Sequence, residues 1–387
     1  MQGKSSLPAT MKDVARLADV SQPTVSRVLQ NHPNVKEAVR IRVRQAVAQL
    51  NYRPNSLVST LMANLKNQRR SRTSTTIAFI SAYPSILAWR NVADFADYFD
   101  GAQERAASQG YELEHFWLKE RGMNGPRLSK ILYNRNVPAV LIAPLPGTMG
   151  HLSLDWSRFA SVALGYTLAR PNVSRVTNDQ FQTVLLTLRK LKWFGYRKIG
   201  FIMEAFSDKR VTHRWVAGHL AFHLDFPYIS RLDPFTPPSL TEKNVVDWFR
   251  ANRPDAIVGS DIRIITWLKN AGFDVPGDTG FANLSLGGIR DMAGANQNSR
   301  VIGASAIDMI IGQLHRNERG VPEHAKLTLI PATWSDGPTV RNVREEKQQK
   351  STRTKTPGTR RKIVGRDATI SSAGNPHRKK EPLRKNL

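Results

Sequence analysis

The chain has 387 residues, enough for two or three domains, and 40% of them are hydrophobic, which is enough to bury sizeable cores. It contains no cysteine, which excludes disulfides and thiolate-based metal sites or nucleophiles. Its apolar runs are far shorter than the roughly 20 residues that span a bilayer, and the N-terminus lacks the apolar segment of a signal peptide, so we expect a soluble cytoplasmic protein.

The net charge of +26 is concentrated at the two ends of the chain. Residues 1–76 hold 13 Lys and Arg against 3 Asp and Glu, and residues 341–387 hold 15 against 4. Basic ends on an otherwise ordinary surface favour a polyanionic partner, of which nucleic acid is the commonest. For the C-terminal end, a solvated basic segment without a partner fits equally well.

The first predicted element is a short helix that begins after Thr10. Thr10 can act as its N-cap, and Asp13, three residues on, completes a pattern that resembles a capping box. The turn "ADVS" then ends this helix after about two turns. The inner face of the helix is predicted to hold Val14, Ala15, Leu17 and Ala18.

A second short helix is predicted over about residues 22–29, with Ser21 as its N-cap. Pro23 fits the first turn, and because it has no N–H, the Ser21 hydroxyl is expected to accept from the N–H of Thr24. The predicted inner face consists of Val25, Val28 and Leu29. The predicted outer face is polar and consists of Gln22, Thr24, Ser26 and Arg27.

A third helix is predicted over about residues 37–50. Its apolar positions are Val39, Val43, Ala46, Val47 and Leu50, and its predicted exposed positions are Arg40, Arg42 and Arg44. Two short helices joined by a tight turn, with donors on the outer face of the second, indicate a helix-turn-helix that enters the major groove. Any small three-helix unit is the alternative interpretation.

From Thr76 the sequence alternates between strand-like and helix-like segments. Continuous apolar runs such as "VPAVLIAP" and "FASVALGY" are typical of strands covered on both faces of a sheet. Helical spacing appears in four segments, at residues 92–106, 179–194, 261–271 and 301–317. The pattern predicts an α/β body with parallel sheets, long enough for two similar lobes. Residues 344–387 lose this periodicity, and we expect them to form a basic disordered tail.

The stretch "MKDVARLADVSQPTVSRVLQNHPNV", followed by "LNYRPNSLVSTL", resembles the lactose-repressor (LacI/GalR) family of bacterial transcription regulators. The resemblance implies an all-α helix-turn-helix head (1–53), a hinge helix and connector (54–75), and a body (76–343) for effector binding and dimerisation. That body would consist of two Rossmann-like α/β lobes, similar to periplasmic sugar-binding proteins. Members are usually homodimers, sometimes tetramers, on pseudo-palindromic double-stranded DNA operators.

The resemblance also implies roles for residues of the head. Gln22 and Pro23 stand at the two positions that chiefly set operator preference, and Arg27 stands where the family has its base-reading arginine. Lys36 departs from the family, which usually has a serine that caps the third helix. The full set expected at DNA is Thr10, Ser21, Gln22, Pro23, Thr24, Ser26, Arg27, Tyr52, Asn55 and Leu61.

Residues 54–65 carry apolar side chains at helical spacing, but a helix this short is marginal in water without a partner. A linker that packs on the body is one interpretation. The resemblance favours another, because Asn55 and Leu61 match positions that fold on operator DNA and reach the minor groove.

The positions that bind the effector in the resembled family are altered here. Gly165-Tyr166 stands where an aspartate is common, and Trp215 stands where an arginine is expected, with Arg214 one residue earlier. Fewer carboxylates suggest an effector other than a simple neutral hexose, or one held by stacking and amides. Ordinary packing between the lobes is the alternative for each expected lining residue. These are Trp89, Asp97, Arg214, Trp215, Asp261, Asn283 and Asn298.

The sequence contains few signs of catalysis or of a cofactor. His219 and His223 have the spacing of zinc ligands on one helix face, but Leu220 replaces the motif glutamate, which favours a structural role. P-loop, nucleophile-elbow and dinucleotide motifs are absent, and no cofactor is expected. We therefore expect a transcription regulator that acts as a repressor and is controlled by a small carbohydrate-like effector. The rivals are a sugar-binding protein with an accessory head and an enzyme on the same lobes.

Overall fold

The computed structural model describes residues 9–29, 32, 35–52 and 75–345. One structural unit ends at Val343 and a second begins at Arg344. The predictions for the hinge helix and for most of the basic tail lie outside the described residues. No helix in the described part of the chain is long and apolar enough to cross a bilayer.

Three helices form the head: α1 (Met11–Leu17), α2 (Gln22–Leu29) and α3 (Glu37–Gln49). Their shared core is small and consists of alanine and valine side chains. The fully or nearly fully buried members are Val14, Ala15, Ala18, Val25, Val28, Val43 and Ala46. All of them lie at positions that the sequence assigned to inner faces.

The first lobe of the body contains a six-stranded, fully parallel sheet in the order β12-β7-β5-β3-β1-β2. Its strands are β1 (Thr75–Ser81), β2 (Tyr111–Trp117), β3 (Ala139–Ile142), β5 (Ala160–Leu164), β7 (Ser174–Asn178) and β12 (Leu327–Ile330). A small additional pair joins β4 (Gly150–His151) to β6 (Leu168–Arg170). The helices of this lobe are α4 (Ala93–Ser108), α5 (Gly125–Asn134) and α11 (Ser299–His315).

The second lobe contains a five-stranded sheet in the order β13-β11-β10-β9-β8, parallel except for the pair β11–β13. Its strands are β8 (Ile199–Ile202), β9 (Ala256–Gly259), β10 (Gly280–Asn283), β11 (Gly294–Asn296) and β13 (Thr333–Ser335). Its helices are α6 (Gln180–Phe194), α7 (Ala205–Lys209), α8 (Arg214–Asp225), α9 (Glu242–Asn252) and α10 (Arg263–Asn270).

Each sheet is buried on both faces, which confirms the prediction of an α/β body with two lobes. In the first lobe, Phe79 and Leu141 point into one core and Ile80 and Val140 into the other. The second lobe has the same construction, with separate cores on the two sides of its sheet. Burial on both faces explains why the strands read as continuous apolar runs rather than alternating ones.

The chain passes between the lobes three times, after β7, after β11 and after β12. The last passage divides a segment that the sequence presented as one apolar run, "LTLIPATW". Residues 327–330 pair with β7 of the first lobe, and residues 333–335 pair with β11 of the second. Pro331 lies between them, and because proline cannot donate to a ladder, it favours a break at this point.

Candidate functional site

The buried face of helix α2 is apolar and is held in place by packing. Val25 is fully buried and Val28 nearly so, and both lie in one cluster with Val14 of α1 and Val43 of α3. The capping box predicted for α1 is present, because the Asp13 N–H donates to the Thr10 hydroxyl while the Thr10 N–H donates to the Asp13 carboxylate. The two helices of the motif are therefore fixed by packing and by a cap.

The opposite face of α2 is polar and open to solvent. Gln22, Pro23 and Arg27 are exposed, whereas Thr24 and Ser26 are half-buried. Gln22 and Arg27 both carry side chains that can form paired hydrogen bonds with purine edges in the major groove. The polar face of α2 therefore points away from the head core, as predicted.

Two details of α1 and α2 differ from the sequence predictions. The Thr24 N–H donates to the Ser21 carbonyl oxygen at 2.9 Å, and the Ser21 hydroxyl lies 2.9 Å from the Thr24 hydroxyl instead of capping that N–H. Leu17 was predicted to face inward, but 45% of its surface is exposed. It lies beyond the narrow face that Val14, Ala15 and Ala18 share, because α1 is only two turns long.

Arg40 was predicted to be exposed on α3, and this prediction is wrong. Its side chain is only 14% exposed, because the guanidinium group folds over the segment before the helix. Its Nε donates to the Val35 carbonyl oxygen at 3.3 Å, and its Nη2 donates to the carbonyl oxygen of His32. Arg40 thus holds the segment that joins α2 to α3. Lys36 provides no side-chain cap for α3, as its identity indicated.

Tyr52 is the only predicted hinge residue that the structure describes. It is half-buried against the head core, and its N–H donates to the Val47 carbonyl oxygen at 3.0 Å. Asn55 and Leu61 lie outside the described residues.

The segments that follow the carboxyl ends of both sheets meet at the boundary between the lobes, which we call the cleft. In open α/β sheets, ligands bind beyond the carboxyl ends of the parallel strands. Two contacts cross the cleft that the sequence analysis did not anticipate. The Asp94 carboxylate at the start of α4 accepts from the hydroxyls of Ser285, which follows β10, and of Ser299, at 2.7 Å for the latter.

The second unanticipated contact is made by Arg210, directly after α7. Its Nη1 donates to three successive carbonyl oxygens of the first lobe, those of Leu145 at 2.8 Å, Pro146 at 2.9 Å and Gly147 at 2.9 Å. Sequence spacing could not reveal either contact, since the partners are more than 60 residues apart. Arg210 and Asp94 therefore hold the lobes together at the edges of the cleft.

Two aromatic residues predicted to line the cleft lie in the lobe cores instead. Trp89 is 1% exposed, packs against Phe79 and Phe99 with ring centroids 5.1 Å away, and donates its Nε1–H to the Ile86 carbonyl oxygen. Trp215 is 7% exposed and belongs to a core of the second lobe. Both side chains are large and apolar, and burial is what such side chains gain most from.

The two acidic residues predicted at the cleft are engaged with arginines. Asp261 accepts from the N–H of Arg263 at 2.9 Å, from its Nε at 3.0 Å and from its Nη2 at 2.6 Å. Asp97 lies 3.6 Å from Nη1 of Arg300, although burial raises the pKa of this carboxyl more than the arginine lowers it.

The two predicted amides are also hydrogen-bonded within the protein. Asn283 is fully buried, and its Oδ1 accepts from the Ser285 N–H at 2.8 Å. Asn298 has a left-handed backbone before α11, and its Nδ2 donates to the Pro331 carbonyl oxygen at 2.9 Å. Asn298 therefore links the passages after β11 and after β12, whereas Asn283 fixes the turn after β10.

Arg214 is the predicted lining residue that projects toward the opposite lobe. Its guanidinium carbon lies 4.7 Å from the ring centre of Tyr166, which follows β5 of the first lobe. Burial raises the pKa of Tyr166, while the charge of Arg214 opposes this effect. The contact places a cation and a phenol together at the mouth of the cleft.

Comparison with known proteins relates the head to one family. Residues 10–55 match the sequence model of bacterial regulatory proteins of the lacI family. The chain is 25% identical over 283 residues to the NTD biosynthesis operon regulator NtdR of Bacillus subtilis, covering 70% of this chain and 80% of that protein. It is 36% identical over 205 residues to the transcriptional regulator GalR of Escherichia coli, covering 51% of this chain and 54% of GalR.

Solved structures share the fold of the body as well as of the head. The transcriptional regulator CelR in complex with cellobiose superposes with a TM-score of 0.51 at 19% identity, over 86% of this chain and 99% of that one. The lac repressor dimer bound to operator and an anti-inducer gives a TM-score of 0.50 at 17% identity, over 87% of this chain and 100% of that one. At these identities the likeness concerns the fold.

Proposed function

We propose that the chain, whose residues 10–55 match the lacI family of bacterial regulatory proteins, is a DNA-binding transcription regulator that represses its genes from a pseudo-palindromic operator, under the control of a small carbohydrate-like effector. The head reads base edges, and the cleft between the lobes binds the effector. A homodimer supplies two heads for the two half-sites, and two dimers can associate into a tetramer.

The observation that carries this proposal is the geometry of α2. A short helix with Val25 and Val28 buried beneath it holds Gln22, Pro23 and Arg27 in the open on one rigid face. Donors fixed in this way can discriminate between bases, whereas donors on a flexible segment can only follow phosphates. Exposed arginines on α3, such as Arg42 and Arg44, suit the neighbouring phosphate backbone.

The lac repressor dimer bound to operator shows one assembly that this fold can adopt. By analogy, Asn55 and Leu61 of each subunit reach the minor groove at the centre of the operator. There an apolar wedge opens a base step and bends the duplex. Tyr52 packs on the head core just before this segment.

The cleft supports the effector part of the proposal. The CelR–cellobiose complex shows that a cleft of this fold can hold a sugar. In the present chain, Asp94 and Arg210 already link the lobes, so a ligand between them acts on contacts that set the angle of closure. The ligand shifts the equilibrium between the open and the closed lobes only by the difference in its affinity for these two states. A sugar-binding protein without DNA selectivity remains the rival, as does an enzyme on this fold.

Replacing Arg27 with alanine tests the proposal. We expect Arg27→Ala to lower affinity for a selected operator by about tenfold or more, while affinity for random DNA falls little, because a base contact carries specificity. Selection from a palindromic library, followed by fluorescence anisotropy on selected and random duplexes, measures both affinities.

The matched control is Arg42→Ala, which removes an exposed arginine of the same head. A phosphate contact should weaken both duplexes alike and reduce the salt dependence of binding. If the library yields no preferred sequence, or if Arg27→Ala weakens both duplexes equally, the head does not read bases as proposed.

A further inference from the structure

Arg214 and Tyr166 meet across the cleft, one from each lobe. Tyr166 follows β5, Arg214 is the first residue of α8, and the guanidinium carbon lies 4.7 Å from the centre of the phenol ring. Stacking on an aromatic face holds a guanidinium plane in place while its N–H donors remain at the edge. The pair therefore places the Arg214 cation over the phenol ring of Tyr166.

Both residues carry a buried polar atom that has no hydrogen-bond partner among the described residues. These atoms are the Tyr166 hydroxyl and Nε of Arg214. A buried donor without an acceptor costs free energy, and folded proteins rarely leave such donors unpaired. An acceptor supplied by a ligand would satisfy both.

The carboxylates around the cleft are, in contrast, already engaged within the protein. Asp94 accepts from two serines, and Asp261 is bound by Arg263. Asp179, whose charge raises the pKa of Tyr166, accepts the Gln182 N–H at 3.1 Å and caps α6. Asp94, Asp179 and Asp261 thus have fewer lone pairs left for the hydroxyls of a neutral sugar, whereas the donors at Nε of Arg214 and at the Tyr166 hydroxyl are unused among the described residues.

A second cation lies close to the same tyrosine. Arg175 on β7 has its Nη1 3.5 Å from the Tyr166 carbonyl oxygen and its Nη2 3.1 Å from Oδ1 of Asn172. The ion pairs described on this side of the molecule involve Arg263 and Arg300, and none includes Arg175 or Arg214. Burial lowers the pKa of Arg175, which shows that this charge is partly removed from water. The local field around Tyr166 is therefore positive.

We propose that the effector carries an anionic group, a carboxylate or a phosphate, which is bound by the Arg214 guanidinium group together with the Tyr166 hydroxyl. This inference rests on the proposed function, since it concerns the effector of the same cleft. Arginine matches the two oxygens of a carboxylate or phosphate with paired N–H donors, and such charge-assisted bonds are stronger than neutral ones. Because the two residues belong to different lobes, one anion binding both would also favour the closed state.

Three probes that share a sugar ring test the proposal: D-glucuronate, D-glucose 6-phosphate and D-glucose. Binding to the full-length protein is measured by calorimetry at matched ionic strength. We expect Arg214-dependent binding of at least one of the two anions, with glucose much weaker. Whether the carboxylate or the phosphate binds more tightly identifies the group.

Arg214→Gln should weaken binding of the preferred anion by about ten- to a hundredfold, because hydrogen bonds to charged groups are lost. Tyr166→Phe should weaken it by a smaller factor, since only a neutral donor is removed. The matched control is Arg189→Gln, which removes an exposed charge of the same lobe away from the cleft and should bind the anion as the wild type does.

Two results would overturn the proposal: equal anion affinity in the wild type and Arg214→Gln, or no Arg214-dependent binding of either anion. Neither result contradicts the proposed function if the protein still selects an operator. Loss of operator selectivity in the wild type would instead contradict the proposed function, whatever the anions do.

Discussion

Gly303→Ala is expected to destabilise the first lobe by roughly 3 kcal/mol or more, because the added methyl group has no space. Gly303 lies on α11 where this helix crosses α4, and a Cβ there would stand 1.9 Å from the Tyr98 carbonyl oxygen and 2.8 Å from the Ala102 N. Both neighbours are backbone atoms, so the side chain cannot be accommodated by a rotamer change. The two helices would have to separate.

The crossing is tight on both sides, which is why the effect should be large. A Cβ on Gly101 of α4 would stand 2.0 Å from the Arg300 carbonyl oxygen of α11. Around these glycines, Ala102 and Ala306 are fully buried, and Ile302 and Ile307 fill the core beneath. Moving the helices apart would open gaps along this whole surface, and close-packed cores tolerate such gaps poorly.

Gly312→Ala on the same helix is the matched control. A Cβ at this position would meet only the Arg316 side chain, at 3.0 Å from its Nη1, and this flexible group can move away. Alanine is a better helix former than glycine by about 1 kcal/mol, so the variant should be as stable as the wild type or slightly more so. Urea unfolding followed by circular dichroism compares the three proteins. Equal midpoints for Gly303→Ala and Gly312→Ala would contradict the inferred contact.

Much of the fold could be predicted because its signals are local. Runs such as "VPAVLIAP" are apolar throughout because β3 is covered on both faces. The end of α6 is marked by Gly195, whose left-handed φ of +102° favours glycine. Segments in which polar residues interrupt the apolar ones carried a weaker signal for secondary structure. Strand β2 is "YELEHFW", where polar residues interrupt the apolar ones because it lies at the edge of the sheet. The division of "LTLIPATW" between two sheets depends on tertiary pairing, which no local pattern contains.

The head was predictable in outline for the same reason. Its helices, the capping box of α1 and the buried face of α2 follow from residues within four positions of one another. The Ser21 cap and the inward placement of Leu17 were local predictions that were wrong. A further exception involves longer reach. Arg40 appeared solvent-exposed by its spacing on α3, but a long side chain can fold back on the chain before its helix, and it does so over Val35.

The proposed effector site could be predicted only in part, because the residues proposed for it come from distant segments. Arg214 was identified, but its partner Tyr166 is 48 residues away and was noted only as a substitution. Trp89 and Trp215 were assigned to the cleft by position, although their size favours the cores in which they lie. Arg210 was missed altogether, because its acceptors are backbone carbonyl groups, which every sequence contains.

His219 and His223 form a buried pair in the second lobe, which agrees with the structural role favoured from the sequence. His219 is fully buried and donates its Nε2–H to the Leu232 carbonyl oxygen at 3.0 Å, while its Nδ1 has no partner among the described residues. The His223 ring lies 5.1 Å from it, centre to centre. The pKa of His219 is lowered to about 4, mainly by burial; the charges of His223 and Arg231 act in the same direction, while the hydrogen bond to Leu232 and the charge of Asp233 oppose it.

This buried histidine should make the stability of the second lobe depend on pH. Above pH 6.5, His219 is neutral in both the folded and the unfolded state and contributes no pH dependence. Between pH 6.5 and about 4, the unfolded chain binds a proton that the folded chain excludes, so the free energy of unfolding falls as the pH falls. The pKa is about 4 in the folded chain and 6.5 in the unfolded chain. This difference corresponds to a loss of about 3 kcal/mol in the free energy of unfolding by the time the pH has fallen to the lower value. Burial also lowers the pKa of His223, which acts in the same direction.

We therefore expect His219→Gln to flatten the decline in stability between pH 6.5 and 4, because glutamine stays neutral and keeps an N–H donor for Leu232. The matched control is His324→Gln, which removes a histidine whose side chain is 91% exposed and should leave the decline unchanged. Carboxyl groups also titrate in this range, so the informative quantity is the difference between each variant and the wild type in urea midpoint at each pH. A parallel decline in His219→Gln and the wild type would show that protonation of the buried imidazole does not limit the stability of this lobe in acid.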